Sequence, residues 1–228
     1  MVSILEIAGY AAVDAINPCA LAVMVIVLTS LLFANHQNRK IVLLGGFSFT
    51  SAVFILYFIY GLGITATFGL FSSIAPAFNK FIGVFAIILG MLNLKDYLVY
   101  KPGGIATEMP LTMRPGMKIW TKRITSPKGA FFIGILVTGF LLPCTIGPYI
   151  VASGILSELS FISRIPWLLF YNLIFVLPMI IITLVIYFGV TSVEKISGWK
   201  DKNIKYLHLI EGLILVILGI LTFTGALQ

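Results

Sequence analysis

The chain has 228 residues, 60% of them hydrophobic and 10% charged, with a formal net charge of +7. A soluble domain carries about a quarter charged residues, so this composition excludes a water-soluble fold. It also leaves no folded basic surface for nucleic acid, and the positive charge reads instead as a signal for membrane topology and lipid headgroups.

A spanning helix takes about 20 apolar residues. The apolar runs predict six of them, over 7–33, 41–70, 79–98, 129–156, 165–190 and 205–226. The first run has no Lys or Arg before it and is interrupted by Asp14, so it reads as a span and not as a cleaved signal peptide. It contains "INPCA", which places a proline directly before Cys19. The second run carries Gly45, Gly46, Gly61, Gly63 and Gly69 as packing or hinge points, and the third reads "FIGVFAIILGMLNL" over 81–94. Residues 99–128 form a basic connection rich in proline and glycine, either a tether between halves or a docking surface for a cytoplasmic donor. The fourth run contains "LLPCTIGPY", which holds Cys144, the only other cysteine. The fifth contains "FYNLIFVLPMI", where Pro178 is expected to kink the helix and Asn172 to bridge helices. The sixth reads "IEGLILVILGILTF" over 210–223.

Thirteen of the fifteen Lys and Arg residues fall in or beside connections 1–2, 3–4 and 5–6; Lys80 and Arg164 alone fall on the other side. Basic residues are retained in the cytoplasm, so both termini are expected outside. The third and sixth runs align, with Gly83 on Gly212 and Gly90 on Gly219, and Cys19 aligns in the same sense with Cys144. Three helices per half is an odd number, so 1–98 and 129–228 read as inverted repeats. Such repeats place their site near the bilayer midplane, on interrupted helices. The expected fold is an all-α polytopic membrane protein with helices 1 and 4 broken at Pro-Cys.

Proline within a helix removes one N–H and clashes with the carbonyl four residues back. Pro18, Pro143 and Pro148 would free the carbonyls of Asp14, Gly139 and Cys144. Proline also suits the first position of a new helix. Asn17 would then serve as N-cap with Cys19 in the first turn, where the positive end of the helix dipole stabilises thiolate. Each cysteine alone reads most simply as an apolar filler. The matched pair points to redox or metal chemistry: two thiolates hold a soft ion, and two cysteines exchange two electrons as a disulfide without a cofactor.

Asp14, one turn before Cys19, is a carboxylate within a span. It reads equally as a proton acceptor during exchange and as a wet group near the outer end. Glu211 reads as solvated or paired with lysine. His36 and His208 lie near inner helix ends without a companion ligand cluster, and Tyr97, Tyr100, Trp167, Trp199 and Tyr206 read as an interfacial belt.

With "INPCA" in the first run, "LPCTIGPY" in the fourth and "FYNLIFVLPMI" in the fifth, the chain resembles the CcdA family of cytochrome c biogenesis proteins and the membrane domain of DsbD thiol–disulfide interchange proteins. The resemblance implies an oxidoreductase-type electron carrier without cofactor or metal. Its redox pair would be Cys19 and Cys144, its donor cytoplasmic thioredoxin, and its acceptor an extracytoplasmic thioredoxin-like protein that keeps apocytochrome c thiols reduced. It implies residence in the plasma membrane. Many relatives have a second proline soon after the first cysteine; here "CALAV" follows it, while Pro148 follows the second. Segments 14–20 and 139–149, with Gly139 and Gly147 beside the prolines, are expected to move as gates. The rival reading is a small secondary transporter for a metal ion or amino acid. A quinone-linked thiol oxidase suits less, since there is no C-x-x-C.

Overall fold

The computed structural model describes residues 3–16, 18–35, 38–69, 75–100, 124–189 and 193–224, with backbone alone at 18–19, 75–79, 140–146, 193–194, 197 and 200. These residues form seven helices and no strand: α1 (Ile4–Ala15), α2 (Pro18–Ala34), α3 (Arg39–Gly69), α4 (Ala75–Leu98), α5 (Pro127–Leu156), α6 (Phe161–Tyr187) and α7 (Val193–Thr224). Four are long and apolar enough to cross a bilayer, over Arg39–Gly69, Lys80–Leu98, Phe161–Tyr187 and Asp201–Thr224. The pair α1–α2, bent by 50°, makes a fifth if it is taken as one span. The described parts of α5, Pro127–Gly139 and Gly147–Leu156, are shorter apolar stretches.

Helices dominate because hydrocarbon offers no partner for backbone N–H and C=O groups, and a helix satisfies them within itself. Buried Thr50, Thr65, Thr138 and Thr183 follow the same rule, each donating its hydroxyl to the carbonyl four residues back. The outer faces are apolar. Ile55 and Ile59 on α3, Ile88 and Met91 on α4, Leu173 and Leu177 on α6, and Leu213, Ile217 and Ile220 on α7 are all exposed. An apolar surface this continuous suits lipid and not water. Inside, Tyr10, Met24, Leu28, Phe49, Tyr57, Tyr171 and Phe175 form a closed core.

Contacts between helix ends define two faces of the bundle. On one, Asn35 after α2 donates to the Thr125 carbonyl before α5 (2.9 Å). On the same face α6 ends at Gly189, whose φ of +70° provides the left-handed cap. A Cβ there would meet the Arg39 guanidinium at the start of α3. On the other face Arg164, at the start of α6, donates to the carbonyls of Leu159, Thr65 and Ser157 at 2.8, 2.7 and 2.8 Å. It thereby ties the C-terminal turn of α3 and the end of α5 to the start of α6.

α4 and α7 pack through glycines. A Cβ on Gly83 would lie 2.9 Å from the Gly219 carbonyl, and one on Gly219 would lie 2.9 Å from that of Gly83. Gly90 and Gly212 are related in the same way, at 2.9 and 2.8 Å. The low-numbered glycine of one helix meets the high-numbered glycine of the other, so the helices run antiparallel and their contacts are reciprocal. Close backbone approach at small residues is how membrane helices gain dispersion contact.

Three expectations are corrected. Helix 4 is not broken: α5 runs continuously through Pro143, Cys144 and Pro148. A proline removes one helical bond, and the bonds of neighbouring turns carry the helix past it; α6 likewise continues through Pro166 and Pro178. Connection 5–6, expected as a loop over 191–205, is helical from Val193. Its polarity marks where an apolar environment would end, and without proline nothing ends the helix there. The third concerns Glu211, described below. Helix 1, by contrast, divides where expected: α1 ends at Ala15, the Ile16 amide turns back to the Ala12 carbonyl (3.2 Å), and Pro18 opens α2.

Gly90→Ala or Gly219→Ala is expected to lower stability by about 1–3 kcal/mol, because the new methyl meets backbone that cannot rotate away. Gly63→Ala, which faces open space, should stay within about 0.5 kcal/mol of wild type. Thermal unfolding in detergent micelles, followed by intrinsic fluorescence, reads both.

Candidate functional site

The site is built where α1 ends, against α5 and α6. Asp14 is fully buried on the last turn of α1, which decides against the wet reading of this carboxyl. The Tyr171 hydroxyl on α6 lies 3.1 Å from Asp14 Oδ2 and 3.4 Å from the Tyr10 carbonyl oxygen, so its one hydrogen is placed between these acceptors. Asp14 Oδ1 has no hydrogen-bond partner among the described residues.

Tyr149 on α5 lies beside Pro148. Its ring meets that of Tyr171 edge-on at 5.0 Å, and its hydroxyl donates to the Tyr57 carbonyl of α3. Gly61 makes this possible, because a Cβ there would occupy the place of that hydroxyl. Asn172 donates to the Leu168 carbonyl (2.8 Å) and to the Tyr149 hydroxyl (3.4 Å), and its Oδ1 has no partner among the described residues. The helix-bridging role expected of Asn172 is therefore met. Ser153, one turn beyond Tyr149, is also buried with an unpartnered hydroxyl.

On α1 the buried polar face extends backwards from Asp14. Tyr10 and Glu6 follow at successive spacings of four, the helical repeat that places side chains in one row. The Tyr10 hydroxyl lies 3.1 Å from Thr222 Oγ1 on α7, and Thr222 lies 3.0 Å from Glu6 Oε1.

Along the chain the first Pro-Cys pair follows Asp14 and the second precedes Tyr149. Cys19 is the second residue of α2 and Cys144 lies within α5; the side chains of both, and those of Pro18 and Pro143, lie outside the described residues, as does Asn17 entirely. Pro148 is buried, Gly147 is buried against Leu89 of α4, and Gly139 faces open space. His36 and most of 99–128 lie outside the described residues.

A second buried polar group joins α4 to α7. His208 Nδ1 lies 2.9 Å from Asn93 Oδ1 and 3.8 Å from Glu211 Oε2. Glu211 is 4% exposed, which corrects its reading as a solvated carboxylate. It lies one helical turn beyond His208, on the face that α4 covers.

No family model, curated protein or solved structure matches the chain. The site therefore rests on its own geometry. Chemically it offers one carboxyl, three tyrosines and an amide, sealed in an apolar bundle beside the start of α2. The sequence reading passed over Glu6, Tyr10, Tyr149 and Tyr171. The four-residue spacing of Glu6, Tyr10 and Asp14 is the signal that would have found the α1 row.

Gly61→Ala is expected to lower stability by about 1–3 kcal/mol by displacing Tyr149. Adding Tyr149→Phe should recover part of that loss, because the hydroxyl is the atom displaced. A double-mutant cycle on thermal stability checks it: purely additive losses would show that the two residues do not meet.

Proposed function

We propose that the chain is a thiol–disulfide electron transporter of the plasma membrane, with six spans in two inverted halves and Cys19 and Cys144 as its redox pair. The observation that carries the reading is the pairing itself. The only two cysteines each follow a proline, at matching places in the two halves. α5, at 30 residues, is long enough to serve as the remaining span. The reciprocal glycine contacts of α4 and α7 support the inverted repeat, since a two-fold axis makes contacts mutual in this way. Cys19 in the first turn of α2 supports a reactive sulfur, because that is where the helix dipole favours thiolate.

In this reading cytoplasmic thioredoxin attacks the Cys19–Cys144 bond with its dithiol. Two electrons and two protons pass to the chain, thioredoxin leaves as a disulfide, and the chain holds two thiols. A thioredoxin-like protein on the far side then offers its disulfide and leaves reduced, while Cys19–Cys144 re-forms. The face carrying Asn35, Arg39, Thr125 and Gly189 is the cytoplasmic one, because connections 1–2, 3–4 and 5–6 hold most of the basic residues. Both termini are then extracytoplasmic. Movement of 14–20 and 139–149 exposes the sulfurs to each face in turn, with the α1–α2 break as the hinge of the first half.

The test is thiol chemistry. The purified chain should take no maleimide label before reduction and two labels after it. Cys19→Ser and Cys144→Ser should each abolish transfer, and one of them should trap thioredoxin as a mixed disulfide. Single variants that still pass electrons would defeat the reading, and a double-serine variant that still moves a solute would favour the transporter alternative. For topology, a reporter fused after Gln228 should be active outside the cytoplasm.

A further inference from the structure

Asp14 does something that the two cysteines do not account for. It is fully buried, and among the described residues no side chain donates to its Oδ1. Buried carboxyls that serve only to hold a fold are paired or fully hydrogen-bonded. Here a single tyrosine hydroxyl faces one oxygen, and the other has no donor among the described residues.

The surroundings fit a small exchangeable ligand. α1 packs against α5, α6 and α7. The titratable groups these elements turn towards Asp14 are the Tyr171 hydroxyl on α6 and, behind it, Tyr149 on α5 and Tyr57 on α3. Its own helix adds Tyr10 and Glu6, and α7 adds the neutral hydroxyl of Thr222. One carboxyl among hydroxyls is too little charge to hold a divalent metal, for which oxygen sites gather several carboxylates. It suffices for a proton. An ion sealed in a low-dielectric interior is far costlier than the neutral acid, so sealing this carboxyl and loading it with a proton are coupled events. The position makes the seal a movable one: α1 ends one residue after Asp14, and α2 departs at 50°. The row Glu6–Thr222–Tyr10 brings polar groups from the start of α1 to within one turn of Asp14.

We infer that Asp14, closed over by Tyr171, is a proton-exchange site: it takes a proton when α1 and α6 seal it and gives the proton up when they part. The site consists of described residues outside both Pro-Cys pairs, so it stands without the disulfide reading. Only its use, as the group that takes and returns the thiol proton during exchange, rests on that reading.

The test is infrared spectroscopy of the purified full-length chain during a pH titration. A protonated-carboxyl C=O band should appear and disappear with pH in wild type and equally in a Cys19→Ser/Cys144→Ser chain, which separates this inference from the redox reading. Asp14→Asn should lose the band, and Glu6→Gln should keep it. Tyr171→Phe should shift it to higher frequency, because the bond to Oδ2 is gone; a carboxyl of merely structural effect elsewhere would not feel that change. A band that persists in Asp14→Asn, or that ignores Tyr171→Phe, would overturn the site, as would a wild-type spectrum without a pH-dependent carboxyl band.

Discussion

Everything in this bundle answers to one constraint: a polar group inside it must find its partner within the protein. Water that would complete a half-made hydrogen bond in a soluble core is absent from hydrocarbon, so a lone donor or acceptor carries its full desolvation cost. Arg164 meets the constraint by serving three carbonyls, two of them at the ends of helices. The buried threonines meet it by folding back on their own helices. Against that background, unpartnered atoms mark function better than conserved-looking chemistry would, and three of them, on Asp14, Asn172 and Ser153, lie on the helices that meet around Tyr149 and Tyr171.

The same constraint shapes the packing. Lipid tails are as apolar as leucine, so burying leucine gains little in a bilayer and close backbone contact gains more. This explains why α4 and α7 meet at glycines while Ile88 and Met91 of α4 and Leu213, Ile217 and Ile220 of α7 face outward. It also explains why α3 carries glycines where it meets others. Gly46 faces Thr183 of α6, and Gly61 admits the Tyr149 hydroxyl to the α3 backbone. A side chain at Gly61 would separate Tyr149, which reaches from α5 to both α3 and α6, from its acceptor.

Much of the fold was legible because apolar runs and glycine spacing are local signals. Gly83, Gly90, Gly212 and Gly219 stood out from the sequence by their register and became the reciprocal contact. Pro18 was legible as a helix start because "NPC" combines a capping residue with a first-turn residue. Pro143 was misread because the same local chemistry permits two outcomes, a break or a continuous helix with one bond missing, and neighbouring turns decide between them. The start of α7 was misread because hydropathy reports the environment and not the backbone. The tyrosines were not legible: whether Tyr149 and Tyr171 meet depends on how α5 crosses α6, and no pattern within either helix encodes that crossing.

The division of the first span into α1 and α2 joins these threads. α1 carries a polar row, Glu6, Tyr10 and Asp14, while the described side chains that α2 buries are apolar, among them Val23, Met24, Val27 and Leu28. A continuous helix would fix those two faces in one orientation. The break lets each half turn its own face inward: α1 towards the hydroxyls of α6 and α7, α2 towards the apolar core. Pro18 gives up the N–H that would have tied α2 back to the Asp14 carbonyl, so the residue that loses this helical donor is also the one whose side-chain Oδ1 has no partner among the described residues. Both deficits fall on the turn where the direction of the chain changes. A segment that is least bonded at the junction of two differently anchored helices is where the least free energy is needed to move them apart.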